Sequence, residues 1–173
     1  MRWRVVCLVL IAAFVTGCLP AAPKQVTFGD AIASGALDYA LNKIGTPYIL
    51  GGQGPDVFDC SGLIISAYQQ AYPALKLRIR SDTVDDARIS ELWQYNVELV
   101  PAEDARRGDL VFVTDTPNAV THGGLFVRWI DSNNIEFVNA SSFYGAVVVD
   151  TWPLVGTKRE QWLVGIGRMK TVL

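Results

Sequence analysis

The chain has 173 residues, with 15 Lys and Arg against 17 Asp and Glu and a formal net charge of −2. That length suits one domain with a real core and is short for two, and a nearly balanced charge without like-charge runs speaks against a nucleic-acid surface. A single His and three Cys make a Cys/His zinc cage hard to build, and no metal or cofactor is expected.

Residues 1–17 read as a leader. Arg2 and Arg4 form a positive start, and Val5 to Val15 is an apolar run too short to span a bilayer. Val15-Thr16-Gly17-Cys18 then resembles a bacterial lipobox. The resemblance implies cleavage before Cys18, acylation of that cysteine and stable attachment to a membrane; the alternative is an ordinary cleaved signal with an incidental cysteine. Leu19 stands where an inner-membrane retention signal would place Asp. In a diderm organism that implies the outer membrane, facing the periplasm. Removal of residues 1–17 takes two arginines and no acid, moving the formal charge to −4, and leaves Cys18 and Cys60 as the remaining cysteines. A lone unpaired thiol in an oxidising compartment asks for a chemical explanation.

Residues 18–28 carry two prolines and little periodicity and read as a tether, with the folded domain expected over 29–173. Asp30 to Ile44 predicts a helix, capped by Asp30 and ended by Gly45, with Ile32, Ala36, Leu37, Tyr39, Ala40 and Ile44 on its apolar face. Thr46 to Leu50 is extended or turn, and Gly51 to Phe58 is a Gly/Pro-rich loop. The pattern then changes abruptly. Leu63, Ile64, Ala67, Tyr68 and Ala71 form a stripe of helical spacing, Pro73 stops it, and Asp59 stands at the N-cap. Cys60 therefore falls on the first helical residue, where unpaired N–H groups and the positive end of the helix favour a thiolate. Taken alone, such a cysteine is either a working thiol or a small buried hydrophobe.

Residues 73–80 read as irregular and 81–93 as a short polar helix. After Val97 the hydrophobic period becomes two. Strands are expected at Leu110–Val113, His122–Trp129, Ile135–Ala140, Ala146–Asp150 and Trp162–Arg168, with a turn at Asp131–Asn134. Helices followed by strands with short turns predict an α+β fold, its N-terminal helices packed on an antiparallel sheet of about five strands.

His122 opens one of these strands and Asn139 lies near the end of the next. A hairpin centred near Ser132-Asn133 puts both on one face, with Asn139 opposite Phe126. His122 is then at least a diagonal step away, and a bulge or longer loop must close the gap. Each residue is otherwise an ordinary strand-end polar group. Cys, His and Asn together can supply a nucleophile, a proton shuttle and an amide that orients the imidazole.

Six stretches resemble the NlpC/P60 cysteine peptidases over roughly residues 35–168. They are Gly45-Thr46-Pro47-Tyr48 with Gly51-Gly52, Phe58 to Leu63, Arg80 to Thr83, Gly108 to Phe112, His122 to Leu125, and Phe137 to Ser142. The resemblance implies a papain-like α+β fold and cleavage of bacterial peptidoglycan stem peptides, typically between D-γ-glutamate and diaminopimelate or lysine. It implies Cys60 as nucleophile, His122 as base, Asn139 as third polar residue and Tyr48 near the oxyanion. It also implies Asp59 and Ser61 along the substrate cleft. Asp59 is equally an N-cap, Tyr48 is otherwise a packing residue, and Arg80 is either a solvated charge or a partner for a substrate carboxylate. Three departures stand out: Asn139 where the family often has His, a longer segment between His122 and Asn139, and Arg107 where Pro is common. The competing readings are a Cys-His amidase or acyltransferase on a non-wall amide or lipid, and a catalytically silent envelope-binding lipoprotein.

Overall fold

The computed structural model describes residues 21–173. The leader, the lipobox and Cys18 lie outside the described residues.

Helix α1 spans Asp30–Leu41. Its N-cap is Gly29 in extended backbone, so Asp30 is the first helical residue rather than the cap, with its carboxylate in the first turn at the positive helix end. The helix stops before the Ile44 expected from periodicity. Gly45 takes φ 89° and donates its N–H to Val147 O at 2.9 Å, which ties the helix exit to the sheet. Helix α2 spans Cys60–Ala71 and begins as its sequence predicts, with Asp59 Oδ1 accepting the Gly62 N–H at 2.8 Å. A Cβ on Gly62 would lie 2.0 Å from Gly52 O, so only glycine lets the first turn of α2 sit directly on the loop that precedes it.

Residues 73–95 depart from expectation. Leu77–Ile79 (β2) and Asp82–Val84 (β3) form a two-stranded hairpin, closed by Arg80 at φ 57°, and α3 begins only at Ile89. The Glu91 carboxylate accepts the Arg88 N–H at 2.8 Å and fixes that start. The buried Asn96 then joins three segments. Its Oδ1 accepts from Arg78 N and Gln25 Nε2, and its Nδ2 donates to Arg78 O and Glu91 O. Periodicity cannot register a side chain that works this way.

The main sheet has seven strands rather than about five. Along it run Gln25–Thr27 (β1), Trp162–Val172 (β9), Leu110–Thr114 (β5), His122–Trp129 (β6), Asn134–Ser141 (β7) and Ala146–Pro153 (β8), while Val97–Val100 (β4) also pairs with β9. All pairings are antiparallel. Both additional strands pair with the eleven-residue β9: β1 takes the end that outreaches β5, and β4 takes the edge of β9 away from β5. Its Ile166–Met169 stretch takes β4, and its last residues take β1. The stretch read as a tether to residue 28 thus ends by Gln25, where the chain joins the sheet.

The sheet is covered on both faces. Leu110, Phe112, Leu125, Val138 and Ala140 pack against Leu37, Leu63, Ile64 and Tyr68 of α1 and α2. Val111, Val113, Phe126, Ile135, Phe137, Trp152 and Ile166 form a second core on the other side. Strand β5 is buried on both faces, which explains its unbroken run Leu-Val-Phe-Val. Each fully buried side chain of this size contributes about 1.5–3 kcal/mol.

Register between β6 and β7 decides the site. Leu125 pairs with Val138 and Phe126 with Phe137, but Arg128 pairs with Glu136, so a bulge lies at Val127. Phe126 and Trp129 consequently share a face and meet edge to face with centroids 5.9 Å apart. On the site side of the bulge Asn139 moves two residues along from the uniform-hairpin register, to lie level with Gly124 instead of Phe126.

Candidate active site

Cys60 stands at the N-terminus of α2, partly buried. The backbone N–H groups of Cys60, Ser61 and Gly123 pull its thiol pKa down. Burial and the neighbouring Asp59 carboxylate outweigh them and push the thiol up to about 11. This corrects the expectation of a thiolate preformed by the helix end. Capping does turn Asp59 toward backbone donors: Oδ1 takes Gly62 N–H and Ser61 Oγ–H, and Oδ2 takes Gly51 N–H at 2.8 Å. Its charge nevertheless remains close enough to oppose ionisation of the thiol.

His122 Nε2 lies 2.9 Å from Asn139 Oδ1. A carbonyl oxygen only accepts, so in this arrangement Nε2 carries the proton and Nδ1 is the free base. Burial holds the imidazole below its ordinary value, against the hydrogen bond to Asn139 and the nearby Asp150, which draw it up. The ring is neutral near pH 7 and competent to take a proton. Asn139 is buried at 2 % exposure, and its Nδ2 has no partner among the described residues. The diagonal approach depends on Gly124, where a Cβ would meet Val138 O at 2.2 Å and the Asn139 Cβ at 2.8 Å. The gap left by simple hairpin counting is closed by three things: the turn-side pairing of Trp129 with Ile135, already one residue off the uniform register, the Val127 bulge, which adds a second, and this bare strand.

Cys60, His122, Asn139 and Tyr48 line one cleft. Tyr48 is held by a bridge to Phe58 and by its N–H to Gly145 O, and burial followed by the proximity of Cys60 and Asp59 keeps its hydroxyl protonated. The cleft continues past Cys60 to a second arm lined by Asp59, Ser61, Gln53, Asp86 and Arg88. Tyr48, Cys60 and Thr121 belong to both arms. Asp59 and Ser61 thus line the cleft beside Cys60. Arg80 does not: it is exposed at the β2–β3 turn and lines neither arm.

The arm holding His122 contains residues that sequence reading passed over, among them Asp115, Trp152, Arg159 and Gln161. Asp150 accepts from Lys158 Nζ at 2.6 Å and from Arg159 Nη1 at 2.8 Å. Burial raises its carboxyl, but these two cations prevail and hold it below the usual carboxylate range. The Arg159 guanidinium sits over the Phe143 and Tyr144 rings at 4.3 and 4.7 Å and bonds the Tyr144 hydroxyl. Arg159 and Glu160 both adopt left-handed backbone, φ 54° and 64°, a conformation that persists only where surrounding contacts enforce it. The only local clue was a short charged run, Lys158-Arg159-Glu160, between strands.

The NlpC/P60 family model matches residues 45–165. A probable endopeptidase of Mycobacterium tuberculosis is 32% identical over 110 residues, 63% of this chain and 24% of that protein. A gamma-DL-glutamyl hydrolase of Bacillus subtilis is 29% identical over 107 residues, 59% of this chain and 24% of its own length. The chain thus spans about a quarter of the length of these curated relatives. The crystal structure of NlpC1 from Trichomonas vaginalis superposes with a TM-score of 0.57 at 26% identity, covering 85% of this chain and 47% of that one. The α+β arrangement described above is the papain-like fold of these proteins.

Proposed function

The chain belongs to the NlpC/P60 family, and from that premise we propose that it is a cysteine endopeptidase of peptidoglycan stem peptides, cutting the D-γ-glutamyl–diaminopimelate or D-γ-glutamyl–lysine bond. The observation that carries the proposal is the meeting, in one cleft, of a thiol at a helix N-terminus with an imidazole hydrogen-bonded to a buried amide.

In this reading the Cys60 thiol is neutral until substrate arrives. His122 Nδ1 takes its proton as Sγ attacks the γ-carbonyl carbon. The resulting oxyanion faces the backbone N–H of Cys60 and the hydroxyl of Tyr48. Asn139 keeps Nε2 occupied so that Nδ1 faces sulfur. The imidazolium then gives its proton to the departing amine as the C–N bond breaks, leaving a thioester. Water, deprotonated by the same imidazole, hydrolyses the thioester and restores the thiol. Asp59 and Ser61 wall the arm that receives the acyl side.

The proposal extends to the envelope. Acylated Cys18 attaches the domain to a membrane, the outer membrane facing the periplasm in a diderm cell, with the wall as its partner. The order of positive start, apolar run and Val15-Thr16-Gly17-Cys18 supports this. Digestion of defined muropeptides, read by mass spectrometry, tests the activity: new amino termini on diaminopimelate or lysine are expected, and intact muropeptides after prolonged incubation overturn it. Membrane fractionation of Cys18→Ala tests the anchor, since unchanged partitioning and mature mass would remove it.

A further inference from the structure

The two arms of the cleft meet at Cys60 and differ in the rest of their lining, and this inference rests on the endopeptidase reading above. A general acid must face the leaving nitrogen. The arm that contains His122 therefore receives the leaving-group residue, and the arm of Asp59 and Ser61 receives the acyl portion. The leaving-group arm contains a guanidinium whose charge is not cancelled. Lys158 and Arg159 share the single carboxylate of Asp150, so the cluster retains one positive charge. Of the five N–H donors of Arg159, one meets Asp150 and one meets Tyr144, which leaves three unassigned. Packing over the Phe143 and Tyr144 rings fixes the plane of the guanidinium, so little orientation is lost when it binds a planar anion. Asp115, exposed in the loop after β5 that lines the same arm, has no hydrogen-bonded or ion-paired partner among the described residues. A cation and an anion offered together match an ammonium and a carboxylate on one ligand.

We propose that Arg159 binds the distal carboxylate of the leaving-group residue, which makes this cleft selective for diaminopimelate over lysine. The two amino acids share one skeleton and one distal ammonium. They differ by the distal carboxylate, which diaminopimelate has and lysine lacks. Asp115 faces the ammonium common to both, and Arg159 reads the group that distinguishes them.

The test compares kcat/KM of the full chain on L-alanyl-γ-D-glutamyl-diaminopimelate and on the lysine peptide of the same length. We expect a preference for the first on the order of 10- to 100-fold, as when a charged hydrogen-bond donor loses its acceptor. Arg159→Gln should bring the ratio close to one, and Arg159→Lys should restore part of it, with the change concentrated in KM. A wild-type ratio near one, or an unchanged ratio in Arg159→Gln that unfolds at the wild-type temperature, overturns the inference. If Arg159→Gln does not fold, the comparison passes to Arg159→Lys, in which an undiminished ratio has the same force. Calorimetric binding of both peptides to Cys60→Ala separates this inference from the reading beneath it. Arg159-dependent preference in binding, with neither peptide cleaved by the wild type, would sink the endopeptidase reading and leave carboxylate recognition standing. Equal affinities alongside cleavage of both peptides would do the reverse.

Discussion

The two sides of the cleft are built by different means. The Cys60 side is almost entirely local: residues 51–62 supply the loop, the cap, the nucleophile and the glycine that seats them together. The His122 side is assembled from segments that lie far apart in sequence, with Asp115 on one loop, His122 on β6, Asn139 on β7, Asp150 and Trp152 on β8 and Arg159 before β9. A local construction holds one atom in one place and has little room for variation. A composite wall can be altered strand by strand, which suits the substrate selection proposed for Arg159.

The largest effects should come from the two reacting groups, one on each side. Cys60→Ala and His122→Ala are expected to fall to background on a muropeptide substrate while retaining the wild-type unfolding temperature. Residual turnover above a few per cent in either would break the pairing of the two sides. Asn139 should be graded instead, because it positions the ring and does not react. Asn139→Ala is expected to lose on the order of 10- to 1,000-fold in initial rate. Asn139→His should keep substantial activity. A folded Asn139→Ala with wild-type rate would reduce Asn139 to a strand-end residue.

The titration of the two sides sharpens the contrast further. Burial moves the thiol up and the imidazole down, so the resting pair is neutral. In the full chain carrying Cys7→Ala and Cys18→Ala, Cys60 is the remaining thiol, and its alkylation rate should climb toward pH 11. A midpoint below the ordinary thiol value of about 8.5 would mean that the helix end and His122 prevail over burial and Asp59. Stability follows the same signs. The raised thiol favours the fold below its ordinary value, and that contribution is lost as pH climbs toward 11. The lowered imidazole favours the fold above about pH 6.5, and its contribution is lost as pH falls. The smallest effect expected is that of Arg80→Ala, which should leave kcat/KM within about twofold because the residue touches neither arm. A larger loss would require a substrate that reaches the β2–β3 turn.

What sequence made legible divides along the same line. Asp59, Cys60 and Ser61 were readable because a cap, a first helical residue and a following stripe are short-range patterns with fixed spacing. The strands from Leu110 onward were readable because their period is two. The register joining His122 to Asn139 was not, since a bulge adds one residue without changing the hydrophobic pattern visibly. Strands β1 and β4 escaped notice because each is defined by its pairing with β9 rather than by its own composition. Arg159 escaped for a related reason: a charged residue in a loop looks solvated until Asp150 and two aromatic rings are brought to it.

The Val127 bulge has a use in the laboratory. Beyond it, residues 128–136 are paired in their own register, and Asp131 closes their turn by accepting from Asn133 N–H and Asn134 N–H. The register of His122 and Asn139 is set by the strand pairing on both sides of the bulge, and the long segment between them ends in an exposed tip. Exposed tips of this kind tolerate inserted chain. A fluorophore, an affinity handle or a surface linker joined at Ser132 should report on the protein, or immobilise it, without entering the machinery it is meant to observe.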